Sequence, residues 1–147
     1  MLNDILIRKG NFNDVSSIHH IEKTVFNEEA WSLNMVEDEL STSNYRKTWV
    51  ACVKNFLCAY YMLRSYENDY HLINIAVVPF YQRLGLGEKL IKHMLGRIPV
   101  GSSIFLEVKK GNFSAISLYR KMGFKDIYIR NNYYKDGKSA LIMNLNF

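Results

Sequence analysis

The stretch YQRLGLGEKLIKHML, residues 81–95, places two glycines, Gly85 and Gly87, directly before an amphipathic run. Apolar residues then recur at helical spacing, which predicts a helix over residues 87–98. Backbone N–H groups in the first turn of a helix lack intrahelical partners and carry partial positive charge, so they suit a phosphate group. Glycine also lets phosphate oxygens approach the backbone closely. The stretch therefore predicts either a phosphate cradle or two glycines that only form the turn.

Two common phosphate-binding motifs do not fit these residues. A dinucleotide-binding fingerprint needs a third glycine three residues after the second, and that position holds Leu90. A Walker loop needs Gly-Lys-Ser/Thr, whereas Gly87 is followed by Glu88 and Lys89. What remains is a strand, a short loop and the start of a helix, with the two glycines between them.

The wider chain alternates short strand-like runs with helical ones. Asn13, Ser32 and Asn112 are candidate helix N-caps, and Gly123 suits a left-handed residue after a helix. The KDG sequence at 135–137 predicts a hairpin turn. We predict strands over residues 5–10, 45–53, 56–66, 70–78, 104–109, 124–134 and 138–147, and helices over 13–26, 32–40, 87–98 and 113–122. The order β-α-α-β-β-β-α-β-α-β-β predicts an α/β fold with a mixed sheet and a single domain over residues 1–147.

Composition and charge narrow the class of protein. No apolar stretch in the 147 residues reaches the roughly 18 residues of a membrane helix, and the first residues do not resemble a secretory leader. Residues 1–50 carry eight acidic against five basic residues, whereas residues 51–147 carry fourteen basic against six acidic ones. The basic part suits nucleic acid, a smaller polyanion or simply solvent. Cys52 and Cys58 lack metal-type spacing, which predicts buried thiols in a reducing compartment and hence a cytoplasmic protein.

The segment NIAVVPFYQRLGLGEKLI, residues 74–91, resembles the acetyl-CoA motif of the GCN5-related N-acetyltransferases, V-x-P-x-Y-(Q/R)-R-x-G-x-(G/A). The matching positions are Val77, Pro79, Tyr81, Gln82, Arg83, Gly85 and Gly87. The predicted element order matches the family too, so the resemblance implies one domain of this type with a mixed, mostly antiparallel sheet flanked by about four helices. It also implies acetyl-CoA as co-substrate and no metal. The pyrophosphate would lie on the main chain of Arg83, Leu84, Gly85, Leu86, Gly87 and Glu88, and the pantetheine arm and acetyl group along Ile75, Ala76 and Val77.

The segment LEVKKGNFSAISLYRKMGFKDIYIRNNYY, residues 106–134, resembles the RimI-like branch of that family. The positions in register are Glu107, Asn112, Ala115, Leu118, Tyr119, Gly123, Phe124, Arg130, Tyr133 and Tyr134. The resemblance implies acetylation of a protein N-terminus, that of an alanine in a small-subunit ribosomal protein. Related acetyltransferases of other protein N-termini share much of this stretch.

Acetyl transfer to an amine requires loss of the amine proton, stabilisation of the thioester oxygen and protonation of the departing thiolate. The resemblance implies that Glu107 removes the proton, directly or through water, that Tyr119 protonates the sulfur, and that Asn112 contacts the pantetheine. From the residues alone, Glu107 also fits a solvent-exposed position, Asn112 a helix cap and Tyr119 core packing. For the oxyanion we expect a main-chain N–H near Val77, where the strand should part from its neighbour.

The acceptor side is less defined by the sequence. Trp31, Tyr133 and Tyr134 would frame a peptide slot, although aromatic residues also build cores. Glu28, Glu29 and the acidic run 37–39 suit a basic peptide or a solvated face. Three positions depart from the family pattern and leave the peptide preference open, namely Ala30 in place of Pro, Val78 in place of Asp or His, and Lys109 in place of Arg.

Three readings of the function follow. The first is direct acetyl transfer in a ternary complex to a protein N-terminus, with a different N-terminus or a small amine as the nearest alternative. The second is an RNA-binding module that uses the basic part and the tyrosines. The third is an inactive CoA-binding domain, against which the retention of Glu107 and Tyr119 argues. Under the first reading we expect a peptide partner, no membrane and no direct nucleic acid, and the sequence indicates no oligomeric state.

Overall fold

Seven strands and four α-helices alternate along residues 4–147, the part of the chain that the computed structural model describes. The elements are β1 (Ile5–Lys9), α1 (Val15–Phe26), α2 (Leu33–Leu40), β2 (Arg46–Val53), β3 (Phe56–Tyr66), β4 (Asp69–Val77), α3 (Leu86–Leu95), β5 (Ser103–Lys109), α4 (Phe113–Lys121), β6 (Lys125–Arg130) and β7 (Ala140–Asn146). This order is the one that the sequence predicts.

The strands form one sheet in the order β1-β2-β3-β4-β5-β7-β6. Every neighbouring pair is antiparallel except β4 and β5, which run parallel because α3 crosses over between them. The predicted fold class, a mixed and mostly antiparallel sheet flanked by four helices, is confirmed.

Helices cover both faces of the sheet. Strand β3 shows why, because its side chains alternate between two apolar cores. Ala59 and Tyr61 pack with α3 and α4 on one face, and Tyr60 and Met62 pack with α1 and α2 on the other. The strand is therefore buried on both faces, and the cleft described below opens between the two helical layers.

Strands β4 and β5 stay paired over only four residue pairs, from Asp69 with Ser103 to Leu72 with Leu106. Beyond these pairs β4 continues beside β3 as far as Val77, and β5 continues beside β7 as far as Lys109. The two strands thus part and leave a wedge in the sheet. The expected parting near Val77 is confirmed.

Local capping confirms two predictions and corrects a third. The Ser32 hydroxyl accepts from the Met35 N–H at 3.2 Å, and the Asn112 side chain accepts from the Ala115 N–H at 3.2 Å. The prediction for Asn13 is wrong. Asn11 and Asp14 form a reciprocal capping box around a 3₁₀ turn just before α1, so Asn13 donates its N–H to Asn11 rather than capping the helix.

Two predicted elements are too long. Strand β6 ends at Arg130 rather than at residue 134 because the N–H groups of Tyr133 and Tyr134 both bond the Lys138 carbonyl, which folds residues 131–139 into a loop. The predicted turn at residues 135–137 does form, since the Gly137 N–H bonds the Tyr134 carbonyl at 2.9 Å, but it lies inside this longer loop and does not join β6 and β7 directly. Helix α3 ends at Leu95, after which 3₁₀-type bonds continue to Ile98. Along residues 4–147 the structure contains no helix with the length and hydropathy to cross a membrane.

Candidate active site

A cleft of about 1430 Å³ opens at the wedge between β4 and β5 and reaches both faces of the sheet. Leu84 and Leu86, which were predicted to contribute main-chain N–H groups, place no side chain in it, because Leu86 is buried in the core and the Leu84 side chain is exposed outside the cleft. The other predicted site residues all line it, namely Trp31, Ile75, Ala76, Val77, Arg83, Gly85, Gly87, Glu88, Glu107, Asn112, Tyr119, Tyr133 and Tyr134. The fold thus brings together residues from distant parts of the sequence.

The loop before α3 has the backbone form of an anion cradle. Arg83 (φ 64°) and Gly85 (φ 84°) both adopt left-handed conformations, and the Gly85 carbonyl accepts the first helical N–H, that of Lys89, at 3.1 Å. The N–H groups of residues 86–88 therefore come before the first intrahelical bond, at the positive end of the helix dipole. The Gln82 side chain donates to the Val77 carbonyl at 2.8 Å and fixes the loop to the end of β4.

The two glycines serve different purposes. At Gly85 the left-handed backbone favours glycine. At Gly87 an added Cβ would lie 3.0 Å from the Leu118 Cδ2 atom, so glycine here permits α3 to pack closely against α4. Glycine at both positions lets the first turn of α3 border the cleft. The two glycines can therefore form the turn and a phosphate cradle at the same time.

Charges around this loop leave room for an anion. The Glu88 carboxylate bonds Lys92 at 3.0 Å and Lys121 at 2.7 Å, and the hydrogen bond from Lys121 is the main cause that lowers the pKa of Glu88. The acidic charge nearest the cradle is thereby balanced. Arg83 lines the cleft and forms no ion pair with any of residues 4–147. The donor set fits the pyrophosphate of acetyl-CoA.

A main-chain donor faces the wedge at the end of β4. The Val78 N–H bonds the Cys58 carbonyl of β3 at 2.9 Å. Successive N–H groups of a strand point to opposite sides, so the Val77 N–H points away from β3 and toward the gap left by β5. This is the placement that an oxyanion donor needs.

Glu107 stands on the cleft side of β5. Ile104, Leu106 and Val108 are buried under α3 and α4, so the alternate positions, Glu107 among them, lie on the opposite face. Glu107 is exposed, and its interaction with Tyr133 is the main cause that raises the pKa of the Tyr133 phenol. A carboxylate exposed in a cleft can accept a proton from an incoming group.

Tyr119 approaches the cleft from the other helical layer. It is buried, its ring packs against Phe124 at 5.9 Å between centroids, and burial raises the pKa of its phenol above the usual value. The hydroxyl therefore stays protonated throughout the neutral pH range. Tyr119 combines the core packing and the cleft position that the sequence left as alternatives.

The two tyrosines after β6 line the same cleft as Glu107. Their rings are nearly perpendicular, with centroids 5.1 Å apart, and Tyr133 is exposed whereas Tyr134 is half-buried. Burial, followed by the charge of Glu107, raises the pKa of Tyr134 to about 12. Trp31 lines the same cleft from the loop between α1 and α2.

An ion bridge that the sequence analysis does not predict joins the α1–α2 loop to the β6–β7 loop. The Lys109 ammonium lies 2.6 Å from Asp136 in the β6–β7 loop and 3.7 Å from Glu29 in the α1–α2 loop, and 5.4 Å from the centre of the Tyr134 ring. We name this set, Lys109, Glu29 and Asp136, the loop bridge. Lys109, which departs from the family pattern, thus links the α1–α2 loop to the β6–β7 loop.

A buried carboxylate beneath the same loop was also missed. Glu22 of α1 is 0% exposed and accepts from the Trp31 N–H at 2.9 Å, from the Tyr60 hydroxyl and from the Asn74 side-chain amide. Burial raises the pKa of Glu22, and these three donors oppose the rise. A signal was present in the sequence, because Val15, Ile18, Glu22 and Val25 follow helical spacing and place an acid within an apolar stripe.

The two cysteines do not line the cleft. Cys52 and Cys58 are free and buried, as predicted, and burial raises the pKa of the Cys58 thiol to about 11. Residues 4–147 contain no group of three or more His, Cys, Asp or Glu side chains arranged to hold a metal ion.

Comparison with known proteins identifies the class to which this fold and cleft belong. Residues 13–124 match the model of the acetyltransferase (GNAT) family, and the chain belongs to that family. It is 33% identical over 141 residues to the [ribosomal protein bS18]-alanine N-acetyltransferase of Escherichia coli K12, with 90% of each chain covered. The chain is accordingly an N-acetyltransferase.

Solved structures show the same fold. The crystal structure of the ribosomal-protein-S18-alanine N-acetyltransferase from Escherichia coli superposes with a TM-score of 0.87 at 30% identity, over 96% of this chain and 92% of that one. Arabidopsis thaliana NAA60 in complex with acetyl-CoA superposes with a TM-score of 0.82 at 17% identity, over 96% of this chain and 98% of that one. The second likeness concerns the fold alone.

Proposed function

We propose that the chain transfers the acetyl group of acetyl-CoA to the N-terminal α-amino group of a protein, an alanine of a small-subunit ribosomal protein. The observation that carries this proposal is the wedge between β4 and β5, with an anion cradle at one end and Glu107 with two aromatic loops at the other. Similarity over 90% of the length of a bS18-alanine N-acetyltransferase supports the choice of acceptor. The cytoplasm is the compartment where such an acceptor is made.

Binding comes first in this scheme. The N–H groups at the start of α3 and the Arg83 side chain hold the pyrophosphate, and Gly85 keeps the approach open. Ile75, Ala76 and Val77 line the path of the pantetheine arm, and Asn112 borders it from the start of α4. The thioester carbon is thereby placed in the wedge, facing the acceptor loops.

Transfer then proceeds within one ternary complex. Glu107 accepts a proton from the α-amino group, directly or through water, and the free amine attacks the thioester carbon. The Val77 N–H stabilises the negative charge that develops on the oxygen. As the carbon–sulfur bond breaks, Tyr119 gives its proton to the sulfur, the attacking nitrogen releases its second proton to solvent, and solvent returns a proton to Tyr119. The products are an N-acetyl peptide and CoA. Because an α-amino group has a pKa of about 7.7–8.0, Glu107 needs to supply only modest basicity.

Acceptor choice rests on the loops around Glu107. An N-terminal amine can enter between Trp31 and the Tyr133–Tyr134 pair, while the loop bridge limits the width of the opening. A neutral amine with a peptide chain behind it suits this narrow, aromatic entrance. The same geometry would accept other protein N-termini, so the first residues of the acceptor have to be tested directly.

The deciding experiment uses the purified chain, acetyl-CoA and synthetic peptides with the N-terminal sequence of ribosomal protein bS18. Tandem mass spectrometry should find the acetyl group on the α-amine of the alanine-initiated peptide. The matched control is the same peptide with its α-amine blocked and its lysines free. Acetylation of the blocked peptide, or of small amines in preference to the free peptide, would contradict the proposed acceptor.

A further inference from the structure

Glu22 lies where two parts of the cleft meet, although it does not itself line the cleft. Its Oε1 atom accepts the main-chain N–H of Trp31 in the acceptor-side loop. Its Oε2 atom accepts the side-chain amide of Asn74 in β4, and the carbonyl oxygen of that same amide accepts the Ile75 N–H at 3.0 Å. A continuous set of hydrogen bonds thus joins the acceptor loop to the strand that borders the acetyl site.

The chemistry of this network requires a carboxylate. Three donors point at Glu22, from Trp31, Tyr60 and Asn74, and an ionised carboxylate is a pure acceptor that satisfies them all. Glutamine would direct an NH₂ group at one of these donors. Either the Trp31 N–H would lose its partner, or the Asn74 amide would have to turn over and release the Ile75 N–H.

We propose that Glu22 is a positioning residue that couples the acceptor loop to the acetyl-binding strand, so that occupation of the wedge fixes Trp31 for the acceptor. This inference rests on the proposed function, because it assigns the two sides of the cleft to donor and acceptor. A carboxylate that only stabilises the core would need no hydrogen bond to the acceptor loop or to β4. Glu22 instead bonds the main chain of the acceptor loop directly and, through Asn74, the main chain of β4.

The network also contains its own control. Tyr60 donates to the same carboxylate from β3, a strand that contributes no side chain to the cleft lining. Tyr60→Phe removes one hydrogen bond to buried Glu22 and leaves the links to Trp31 and Asn74 in place. A loss of stability alone should appear in both Tyr60→Phe and Glu22→Gln, whereas a loss of coupling should appear only in Glu22→Gln.

Trp31 itself supplies the readout. The chain holds two tryptophans, Trp31 and Trp49, and Trp49 packs near His93 and Arg97 away from the cleft. In a Trp49→Phe background, quenching of fluorescence by acrylamide reports on Trp31 alone. We expect acetyl-CoA to reduce that quenching in the parent protein and in Tyr60→Phe, and to leave it nearly unchanged in Glu22→Gln and Asn74→Ala. Circular dichroism confirms that each variant is folded.

Steady-state kinetics completes the test. Glu22→Gln and Asn74→Ala should raise KM for the peptide about tenfold or more, since hydrogen bonds to a charged group are among the stronger ones, and should leave KM for acetyl-CoA within about twofold. Equal changes in Tyr60→Phe, or an acetyl-CoA effect on Trp31 that persists in Glu22→Gln, would overturn the coupling. If acetyl-CoA stabilises the parent thermally without altering Trp31, the coupling fails while the proposed function stands. If acetyl-CoA does not bind at all, the proposed function fails first.

Discussion

Position 107 holds an exposed carboxylate and position 119 a buried phenol, and this difference in surroundings matches their proposed roles. Glu107 remains accessible to water and to an incoming amine, so it can accept a proton and release it to solvent. Burial keeps Tyr119 protonated, which preserves a proton for the sulfur but makes the phenol a weaker acid. We therefore expect the base to contribute more to the rate than the acid.

Glu107→Gln should reduce kcat/KM for the peptide by roughly 10²–10⁴-fold, the usual contribution of a positioned base. The loss should be greatest at low pH, where less of the amine is already free. The measurement is a pH–rate profile from pH 6 to pH 9 for parent and variant. A loss of equal size at every pH would assign Glu107 to positioning of the acceptor instead.

Tyr119→Phe should slow transfer by roughly 10²-fold, the lower end of the usual contribution of a positioned acid or base. Affinity for acetyl-CoA should be almost unchanged, because only the hydroxyl is removed. Phenylalanine keeps the ring contact with Phe124. Single-turnover kinetics and calorimetric binding of acetyl-CoA separate the two effects. Turnover by Tyr119→Phe at the parent rate would contradict the acid role. Tyr128→Phe, on the exposed strand β6, is the control for loss of a cleft-lining hydroxyl.

Among the elements, the loop from β4 to α3 combines two left-handed residues with a helix start that packs closely on α4. The cradle therefore depends on backbone shape more than on side chains. Its sensitivity to substitution should follow from space and charge at Gly85, which is the residue at the helix N-cap.

Gly85→Glu should abolish acetyl-CoA binding, because a strained backbone, added bulk and negative charge all enter the phosphate site. In the parent, acetyl-CoA at about 100 times its Kd should stabilise the fold by about 2.7 kcal/mol, which corresponds to a rise in Tm of roughly 5–10 °C. Thermal melts with and without acetyl-CoA measure this directly. Gly101→Glu, at another left-handed glycine outside the cleft lining, controls for backbone strain. An unchanged rise in Tm with acetyl-CoA in Gly85→Glu would contradict the cradle.

The loop bridge should matter for the acceptor and not for the donor. Lys109→Met is expected to raise KM for the peptide by roughly 2- to 10-fold, since it removes two partly exposed ion pairs. The parent KM should rise with salt and that of the variant should not. Lys110→Met is the matched control, because the exposed Lys110 makes no ion pair within the described part of the chain. A change in KM for acetyl-CoA in Lys109→Met would contradict the prediction that the loop bridge affects only the acceptor.

Elements with strong local signals were predictable, and contacts between distant elements were not. Ser32 and Asn112 cap their helices as expected because the signal is local, whereas Asn13 does not cap α1 because it lies inside the 3₁₀ turn that Asn11 caps. The extent of β6 was overestimated because aromatic residues such as Tyr133 and Tyr134 favour strands, whereas their N–H groups bond the Lys138 carbonyl within the loop. The site roles of Glu107 and Tyr119 came from the family pattern, while the loop bridge and the Glu22 network join residues that only the fold brings together.

For the molecule as a whole, one partly buried ion pair connects the first strand to the turn that precedes α1. Arg8 of β1 holds buried Asp14 through two hydrogen bonds, at 2.8 and 2.9 Å. The hydrogen bond from Arg8 is the main cause that lowers the pKa of Asp14 in the folded protein. Because the unfolded pKa is about 3.9, this pair stabilises the fold above that value and the contribution is lost as pH falls through the lower folded pKa.

Asp14→Asn should therefore lower the urea midpoint at pH 7, and the difference from the parent should shrink as the pH falls from about 4 toward 3. Urea unfolding at a series of pH values measures this. Asp126→Asn, which breaks the exposed pair with Arg120, is the control and should change the midpoint little. A difference that stays constant down to pH 3 would show that Asp14 acts through its capping bonds rather than through its charge.

The brief pairing of β4 with β5, which ends at Leu72 and Leu106, sets a stability–activity trade-off. Substitutions that lengthened this ladder would add backbone hydrogen bonds and raise the melting temperature. They would also close the only gap through which the sheet, among the residues described, admits ligands to both of its faces. Substitutions intended to raise the melting temperature of this enzyme should therefore be placed in the outer strands, and the short pairing of β4 with β5 should be left unchanged.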